Sequence, residues 1–145
     1  MYSVKDILET KGYDCITVDP DATVYEALKK MAGNNVGAVL VLKNEKVQGI
    51  FSERDYARKL VLMGKTSRDS KVEELMTDRV YAVKPVTTIN ECMKLMTDNR
   101  VRHLPVMDEG EKLLGIVSIG DVVNKIIQAQ NNTINQLEDY IVGKR

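Results

Sequence analysis

The sequence predicts an α+β protein in which two tandem βαββα repeats pack as a pseudo-symmetric pair with small mixed sheets. The main observation is internal repetition: residues 19–31 match residues 84–96 at an offset of 65, and residues 49–55 match residues 115–121 at an offset of 66. In both copies, apolar residues at helical spacing are followed by short apolar runs typical of strands. A repeat that occurs only twice favours two interlocked halves over a solenoid, which needs three or more units.

Each half opens with a lead-in segment. Apolar spacing predicts a short helix at residues 4–9 in the first half and at residues 72–76 in the second. A brief strand follows, at residues 16–18 or 81–83. Each half has too few strands to shield its own sheet, so we expect the two halves to pack on one another.

A capping box is predicted at the start of the longer helix in each half. A threonine, Thr23 or Thr88, stands three residues before a glutamate, Glu26 or Glu91, so each side chain can bond the other residue's amide. The helices then carry apolar residues at positions i, i+3, i+4 and i+7, which predicts one buried face per helix. These residues are Val24, Ala27, Leu28 and Met31 in the first half, and Ile89, Cys92, Met93 and Met96 in the second.

Two apolar runs joined by a short polar spacer predict a hairpin in each half. The first hairpin joins residues 38–42 to 47–51, and the second joins residues 103–107 to 113–117. Pro105 cannot donate to a sheet ladder, so we expect it at a strand end or edge. The helix after each hairpin is expected to turn the following residues inward: Tyr56 and Leu60 in the first half, and Val122, Ile126 and Ile127 in the second.

These elements divide the chain into a first repeat at residues 4–65, a second repeat at residues 72–130 and a C-terminal helical tail at residues 131–145. The tail is polar but keeps Ile134, Leu137 and Ile141 at helical spacing. Such a stripe either packs on this domain or is offered to a second subunit. We favour the second subunit, because the paired core is complete without the tail, and we expect a homodimer.

Composition narrows the class of protein. The chain has 21 basic and 21 acidic residues, no tryptophan and one phenylalanine, which argues against a surface for nucleic acid or a membrane. Its longest apolar run, residues 36–42, is too short to span a bilayer. Cys15 and Cys92 form no metal-type cluster, so we expect two buried free thiols in a reducing cytoplasm. The sequence contains no arrangement typical of a catalytic centre, so we expect no enzymatic activity, no metal and no catalytic cofactor.

The strongest candidate for a functional site is a motif present once in each half. Gly49 begins a run of glycine, two apolar residues and Ser-x-x-Asp that ends at Asp55, and Gly115 begins the same run ending at Asp121. The serine is expected to cap the next helix and the aspartate to lie in its first turn. One interpretation is a helix cap with no ligand. The other is a binding site, because a carboxylate can accept hydrogen bonds from both hydroxyls of a ribose.

Two βαββα repeats that each end in this motif resemble a pair of cystathionine-β-synthase (CBS) domains. The stretches at residues 101–106 (Val-Arg-His-Leu-Pro-Val) and 115–123 are typical of that family's second repeat. The resemblance covers residues 4–130 and implies a regulatory module that binds adenine nucleotides in clefts between its two halves. It implies that Asp55 and Asp121 hold ribose, that the Ser52 and Ser118 hydroxyls lie near phosphate, and that the adenine pockets are formed by Thr17, Val18, Val36, Gly37 and Ala38 and by Ala82, Val83, Arg102, His103 and Leu104.

Basic residues are distributed unequally between the two motifs. Arg54 and Arg58 flank the first motif, whereas the second half brings Arg100, Arg102 and His103 to the start of its hairpin. We infer two unequal sites, in which guanidinium groups of one half serve the phosphate of the other half's ligand. A helix N-terminus, with its free N–H groups, also suits phosphate. Each arginine taken alone also fits a solvated surface position, and His103 fits a structural role.

The sequence therefore predicts a sensor of adenylate ligands that changes arrangement on binding and signals to an unknown partner protein. AMP is the first candidate ligand, because Ser-x-x-Asp and a few basic residues suffice for one phosphate. ADP, ATP, NAD and S-adenosylmethionine follow. The alternative is a ligand-free module that docks on an enzyme or a transporter, and the reduced basic character around Gly120 favours it.

Overall fold

A computed structural model describes residues 1–143 of the chain, and its mixture of helices and small sheets confirms the predicted fold class. A π-helical turn, Tyr56–Leu60, directly follows α3. The helices and strands are, in order, α1 (Val4–Lys11), β1 (Thr17–Val18), α2 (Val24–Asn34), β2 (Ala38–Lys43), β3 (Lys46–Ser52), α3 (Glu53–Asp55), α4 (Val72–Leu75), α5 (Ile89–Asn99), β4 (His103–Met107), β5 (Leu113–Ser118) and α6 (Ile119–Ile141).

Each half contains the predicted antiparallel hairpin. In the first half, β1 runs parallel to β2 and β2 runs antiparallel to β3, with Ala38 opposite Ser52. In the second half, β4 and β5 form the hairpin, with His103 opposite Ser118. Both hairpins are confirmed, and in each the last residue of the second strand is the serine that caps the following helix.

The strand predicted at residues 81–83 is wrong, because only an isolated parallel bridge between Val83 and Val106 is found there. Pro105 supplies the physical reason. In the first half, the Leu40 amide donates to the Ile16 carbonyl at 3.1 Å, and Pro105 occupies the equivalent position but has no N–H to donate. Pro105 lies at the centre of β4 and not at a strand end, but β4 is an edge strand of a two-stranded sheet, so the predicted edge position is confirmed. The missing donor leaves only a single bridge to the neighbouring segment.

The predicted capping boxes at Thr23 and Thr88 form only in part. Each threonine hydroxyl accepts a hydrogen bond from the amide three residues on, at 3.1 Å. The reciprocal bond is missing, and Glu91 instead accepts from the Thr88 hydroxyl at 3.0 Å. Complete capping boxes are found at the two Ser-x-x-Asp motifs, where the aspartate carboxylate accepts a hydrogen bond from the serine amide.

Three predictions of burial are also wrong. Tyr56 and Ile127, expected to face inward, are exposed. Tyr56 begins the π-helical turn, and Ile127 lies about 100° around α6 from the half-buried Ile126. Cys92 is buried as expected, but Cys15 is only half-buried. Burial raises the pKa of both thiols to about 11, so both remain protonated near neutral pH.

The two hydrophobic cores are interlocked because the lead-in helices are exchanged between the halves. Helix α1 contributes Val4, Ile7 and Leu8 to the core of the second half. Helix α4 contributes Val72 and Leu75 to the core of the first half. The C-terminal end of α1 is thereby placed against the Ser-x-x-Asp motif of the second half, and the segment after α4 is placed against that of the first.

A glycine at the start of each motif makes room for the exchanged segment. A Cβ atom on Gly49 would lie 2.7 Å from the Thr77 carbonyl oxygen and 2.8 Å from the Met76 sulfur. A Cβ atom on Gly115 would lie 3.0 Å from a methyl group of Leu8. The motif glycine is therefore required by close packing between the halves.

We predict that Gly49→Ala lowers the free energy of unfolding by about 1–3 kcal/mol, because the added methyl group meets a backbone carbonyl that cannot move aside. Gly33→Ala is the matched control, since nothing lies within 4 Å of its Cβ position in α2. Alanine there should raise stability by up to about 1 kcal/mol. Urea unfolding measures both changes, and equal effects at the two positions would contradict the proposed close approach.

Candidate functional site

A cleft of about 740 Å³ lies between the two halves, at the first Ser-x-x-Asp motif. Its volume falls within the range of small-molecule binding sites, roughly 300–1,000 Å³. The first half supplies Gly37, Ile50, Ser52, Glu53, Arg54, Asp55, Arg58 and Lys59, and the second half together with its lead-in segment supplies Thr77, Arg79, Val80, Tyr81, Asn99, Arg100, Val101, Arg102 and His103. Both halves therefore form the walls.

The cleft is strongly cationic although the chain has no net charge. Two carboxylates, those of Glu53 and Asp55, line it. They are outnumbered by six basic side chains, those of Arg54, Arg58, Lys59, Arg79, Arg100 and Arg102. Such a concentration of one sign of charge in a concave site attracts anions and raises their local concentration.

Asp55 joins the first motif to the exchanged segment. One carboxylate oxygen accepts hydrogen bonds from the Ser52 amide and hydroxyl, both at 3.0 Å. The other accepts from the Thr77 hydroxyl at 3.0 Å and contacts the Lys59 ammonium at 3.0 Å. Lys59 also donates to the Leu75 carbonyl at 2.9 Å. The carboxylate is buried and fully bonded, so a ribose hydroxyl must replace one of these donors to bind it.

The first helix turn at this motif does not present a row of free amides. The Glu53 amide donates to the Gly37 carbonyl at 3.0 Å, and the Asp55 amide donates to the Ser52 hydroxyl at 3.2 Å. Only one helical turn is formed before the π-helical segment. Phosphate binding in this cleft would therefore depend on the basic side chains rather than on the helix terminus.

The second motif has a different partner. One carboxylate oxygen of Asp121 accepts from the Ser118 amide and from Lys11 of the exchanged helix α1, both at 2.8 Å. Lys11 also donates to the Ile116 carbonyl at 3.0 Å. Partial burial alone would raise the pKa of Asp121, but the hydrogen bonds from Lys11 and Ser118 outweigh it and hold that pKa below its ordinary value.

His103 lies between the two motifs. Burial lowers its pKa below the ordinary value, and the charge of Lys11 lowers it further, against smaller opposing effects of Asp121 and Asp55. The imidazole is therefore mainly neutral near pH 7. His103 lines the cleft that contains Asp55, and in the sheet it lies opposite Ser118, the serine of the second motif. It is therefore close to both motifs.

The structure brings together eight of the predicted site residues in the cleft: Gly37, Ser52, Arg54, Asp55, Arg58, Arg100, Arg102 and His103. The other predicted residues lie elsewhere. The side chains of Val18, Val83 and Leu104 are buried in the two cores, and that of Ala38 is also buried. Thr17 and Val36 are half-buried, Ala82 is exposed, and Ser118 and Asp121 lie at the second motif.

Sequence reasoning missed Thr77 and Arg79, which the exchanged segment brings to the cleft. Val80 and Tyr81 also line the cleft, whereas Ala82 and Val83 were predicted for the site. The repeat itself offers a signal that the lead-in segments are exchanged, because two interlocked halves with similar lead-in segments can swap them. Which half each lead-in segment joins depends on long-range packing that the periodicity of the chain does not encode.

The chain belongs to the CBS domain family, whose sequence profile matches residues 4–62 and 72–128. Pairs of CBS domains are regulatory, ligand-binding modules. The assignment agrees with the paired repeats, the exchanged lead-in helices and the cleft between the halves.

Relatives include small CBS-domain proteins and one enzyme. A mitochondrial CBS domain-containing protein of Arabidopsis thaliana is 38% identical over 97% of this chain and 72% of its own length. The CBS domain-containing protein YhcV of Bacillus subtilis is 32% identical over 84% of both chains. An inosine-5'-monophosphate dehydrogenase of Methanocaldococcus jannaschii is 33% identical, but this chain covers only 24% of it.

Solved structures share the fold. A CBS-domain-containing protein from Agrobacterium tumefaciens is 40% identical, with a TM-score of 0.78 over 85% of this chain and 97% of the other. At 24% identity, a CBS domain pair in complex with 5'-methylthioadenosine and S-adenosyl-L-methionine has a TM-score of 0.74 over 86% of this chain and 98% of that one. Across residues 1–143, none of the helices combines the length and apolar character needed to cross a membrane.

We predict that Lys11→Met destabilises the protein by about 1 kcal/mol at pH 7, because it leaves Asp121 without its cationic partner. The effect should depend on pH. The folded pKa of Asp121 is lowered, so the contact stabilises fully above the unfolded value of about 3.9 and is lost as the pH falls through the folded value. Urea unfolding of wild type and variant should therefore differ at neutral pH and converge in acid.

Lys5→Met is the control on the same helix. Lys5 lies 3.9 Å from Glu9, both side chains are exposed, and the change should alter stability by less than about 0.5 kcal/mol. A difference between wild type and Lys11→Met that persists unchanged in acid would show that the lysine acts through packing instead.

Proposed function

We propose that this protein is a regulatory module that binds an adenine nucleotide in the cleft between its two CBS domains. The observation that supports the proposal most strongly is the set of six basic side chains around a cleft of about 740 Å³ in a chain with no net charge. Basic residues in such number are expensive to hold together without an anion, because like charges repel one another. A polyphosphate supplies the compensating charge.

The lining of the cleft fits the parts of a nucleotide. The arginines can bind phosphate oxygens in bidentate fashion. Val80, Tyr81 and Val101 offer apolar surface for a purine ring, and neighbouring peptide groups can form hydrogen bonds with the polar edge of that ring. Asp55 is placed to accept from the ribose hydroxyls when the Thr77 hydroxyl gives up its hydrogen bond.

The charge of the cleft alters the expected order of ligands. AMP was expected first on the basis of a few basic residues, but six cationic side chains favour more than one phosphate. We therefore place ATP and ADP ahead of AMP and NAD. S-adenosylmethionine comes last, because its sulfonium adds a positive charge to a site that already carries an excess.

Ligand binding would act by changing how the halves are held together. The cleft is formed by both halves, so a bound nucleotide bridges them, and its ribose competes with Thr77 for the Asp55 carboxylate. The resulting shift cannot exceed the difference in the ligand's affinity for the two arrangements. A homodimer partner and a downstream protein would respond to that change in arrangement. We retain a reducing cytoplasmic compartment in the proposal, although one relative is a mitochondrial protein.

The second candidate function is a ligand-free module that docks on an enzyme or transporter. It is favoured by the bonding of the two aspartates, because each carboxylate already caps its own helix and contacts a lysine. In that case the Ser-x-x-Asp motif is a structural cap alone.

Calorimetric titration of the wild-type chain with AMP, ADP, ATP, NAD and S-adenosylmethionine separates the two candidates. We expect ATP to bind at least about tenfold more tightly than AMP, a difference of about 1.4 kcal/mol, and to lose affinity as salt is added. S-adenosylmethionine should bind most weakly. The absence of binding heat and of thermal stabilisation with all five ligands would favour the docking module.

Arg100 allows the phosphate contact to be tested without damaging the fold. This arginine ends α5 in the left-handed conformation, with φ 54°, and its counterpart Asn35 has the residue type better suited to that conformation. We predict that Arg100→Asn raises the free energy of unfolding by up to about 1 kcal/mol while weakening ATP binding several-fold. Lys94→Asn, outside the cleft and paired with Asp98, is the control for loss of charge.

Unfolding and titration of the same samples measure the two effects. A stable Arg100→Asn protein that binds ATP as tightly as wild type would remove Arg100 from the phosphate site.

A further inference from the structure

His103 is the only histidine of the chain, and it lines the cationic cleft. It begins β4, and the next residue, Leu104, is fully buried in the core of the second half. Because successive side chains of a strand point to opposite faces, the imidazole is directed away from that core and toward the cleft. It is therefore placed where a bound ligand can contact it.

The equivalent position of the first repeat shows that the fold does not require a histidine here. An offset of 65 residues relates His103 to Ala38, which also begins the first strand of its hairpin. Each of the two lies opposite the serine of its motif, Ser52 for Ala38 and Ser118 for His103. A methyl group is enough for the strand pairing, so the imidazole supplies something further on the side of the cleft.

Charged groups from several elements act on the imidazole. They are Lys11 of α1, Asp121 of α6, Asp55 of α3, and Arg102 just before β4. The other charged side chains of the cleft are Glu53, Arg54, Arg58, Lys59, Arg79 and Arg100. Most of these charges are positive, so they favour the neutral form of the ring.

The two carboxylates that could hold a proton on the imidazole are already paired. Asp121 contacts Lys11 at 2.8 Å, and Asp55 contacts Lys59 at 3.0 Å. Each lysine offsets the negative charge of its aspartate. Burial, followed by the charge of Lys11, keeps the pKa of His103 below its ordinary value. A phosphate group bound in the cleft would be the first uncompensated negative charge beside the ring.

A bound phosphate would reverse this balance of charge. An anion close to a histidine favours its protonated form, and the imidazolium donates hydrogen bonds from both ring nitrogens. Phosphate binding and proton uptake then strengthen one another to the same extent. The affinity should therefore rise as the pH falls from the pKa of the bound form to the lower pKa of the free form, and should level off outside that window.

We propose that His103 is a proton-dependent phosphate contact, through which this protein binds its nucleotide more tightly as the pH falls below neutrality. The inference rests on the proposed nucleotide function and adds a means of regulating it. In acid, His103 would add a titratable cation to the six permanent basic side chains of the cleft.

Proton NMR of the wild-type chain tests the contact without a substitution. Because the chain has one histidine, its imidazole resonances report on His103 alone. Titrations with and without saturating ATP should show that the ligand raises the midpoint of His103 by about half to one pH unit, which corresponds to a change in affinity of about three- to tenfold. A midpoint that ATP leaves unchanged or lowers would overturn the inference.

Calorimetric titration with ATP at about pH 6 and about pH 8 measures the same effect as an affinity. Between these two pH values, wild type should gain about three- to tenfold more affinity than His103→Gln, because glutamine is polar but cannot take up a proton. Comparing the two proteins cancels the titration of the terminal phosphate of ATP itself. Arg102→Gln is the matched control: it removes a permanent charge next to His103, so it should weaken binding at both pH values and keep the wild-type dependence on pH.

The comparison of variants also accounts for the other groups that titrate near neutrality. Both thiols have pKa values of about 11 and stay protonated in this range. An α-amino group titrates near neutrality, and both variants retain it. Lys144 and Arg145, the end of the predicted tail, lie outside the described residues, and neither side-chain type titrates in this range.

The possible results separate this inference from the proposed function. ATP binding with equal pH dependence in wild type and His103→Gln, or with a steeper rise in the variant, would overturn the role of His103 and leave nucleotide binding intact. A wild-type chain that binds no ATP at either pH would remove the proposed function itself, and this inference with it.

Discussion

The exchange of lead-in helices between the two halves is the constraint on which the rest of this structure depends. Helix α1 completes the core of the second half, and α4 completes the core of the first. The exchange needs a glycine where each motif begins, because at Gly49 the neighbouring backbone approaches too closely for a Cβ atom. It also delivers Thr77 and Arg79 to the cleft and Lys11 to Asp121. The same exchange therefore completes both the hydrophobic cores and the candidate site.

The Ser-x-x-Asp motif serves as a helix cap and as a candidate ligand contact at the same time. Both aspartates complete capping boxes, so the structural interpretation of the motif is correct in each half. The halves differ in what else bonds the carboxylate: Lys59 and Thr77 at Asp55, and Lys11 at Asp121. Each aspartate caps a helix and also bonds a residue of the exchanged segment. A ligand that binds the carboxylate must compete for that bond, so ligand binding can alter how the halves are held together.

Local patterns in the sequence predicted most of the fold. Apolar runs joined by short polar spacers located both hairpins, and helical spacing located α2 and α5, because these signals depend on residues close together in the chain. The strand at residues 81–83 failed because Pro105, more than 20 residues away, removes its hydrogen-bond donor. The site was predicted only in part, because it combines residues of a local motif with residues brought from a distant segment. Arg54 and Asp55 follow from the motif, whereas Arg79 reaches the cleft through an exchange that only tertiary packing determines.

The central claim is that a nucleotide bridges the two halves through the cationic cleft. A crystal structure of the chain grown with ATP tests it most directly. If a nucleotide bridges the halves, its phosphate oxygens should contact Arg79 and Arg100, which belong to the second half and its lead-in segment. Its ribose hydroxyls should contact Asp55, with the Thr77 hydroxyl displaced. ATP bound away from these groups, or an empty cleft in which Thr77 still bonds Asp55 at saturating nucleotide, would contradict it.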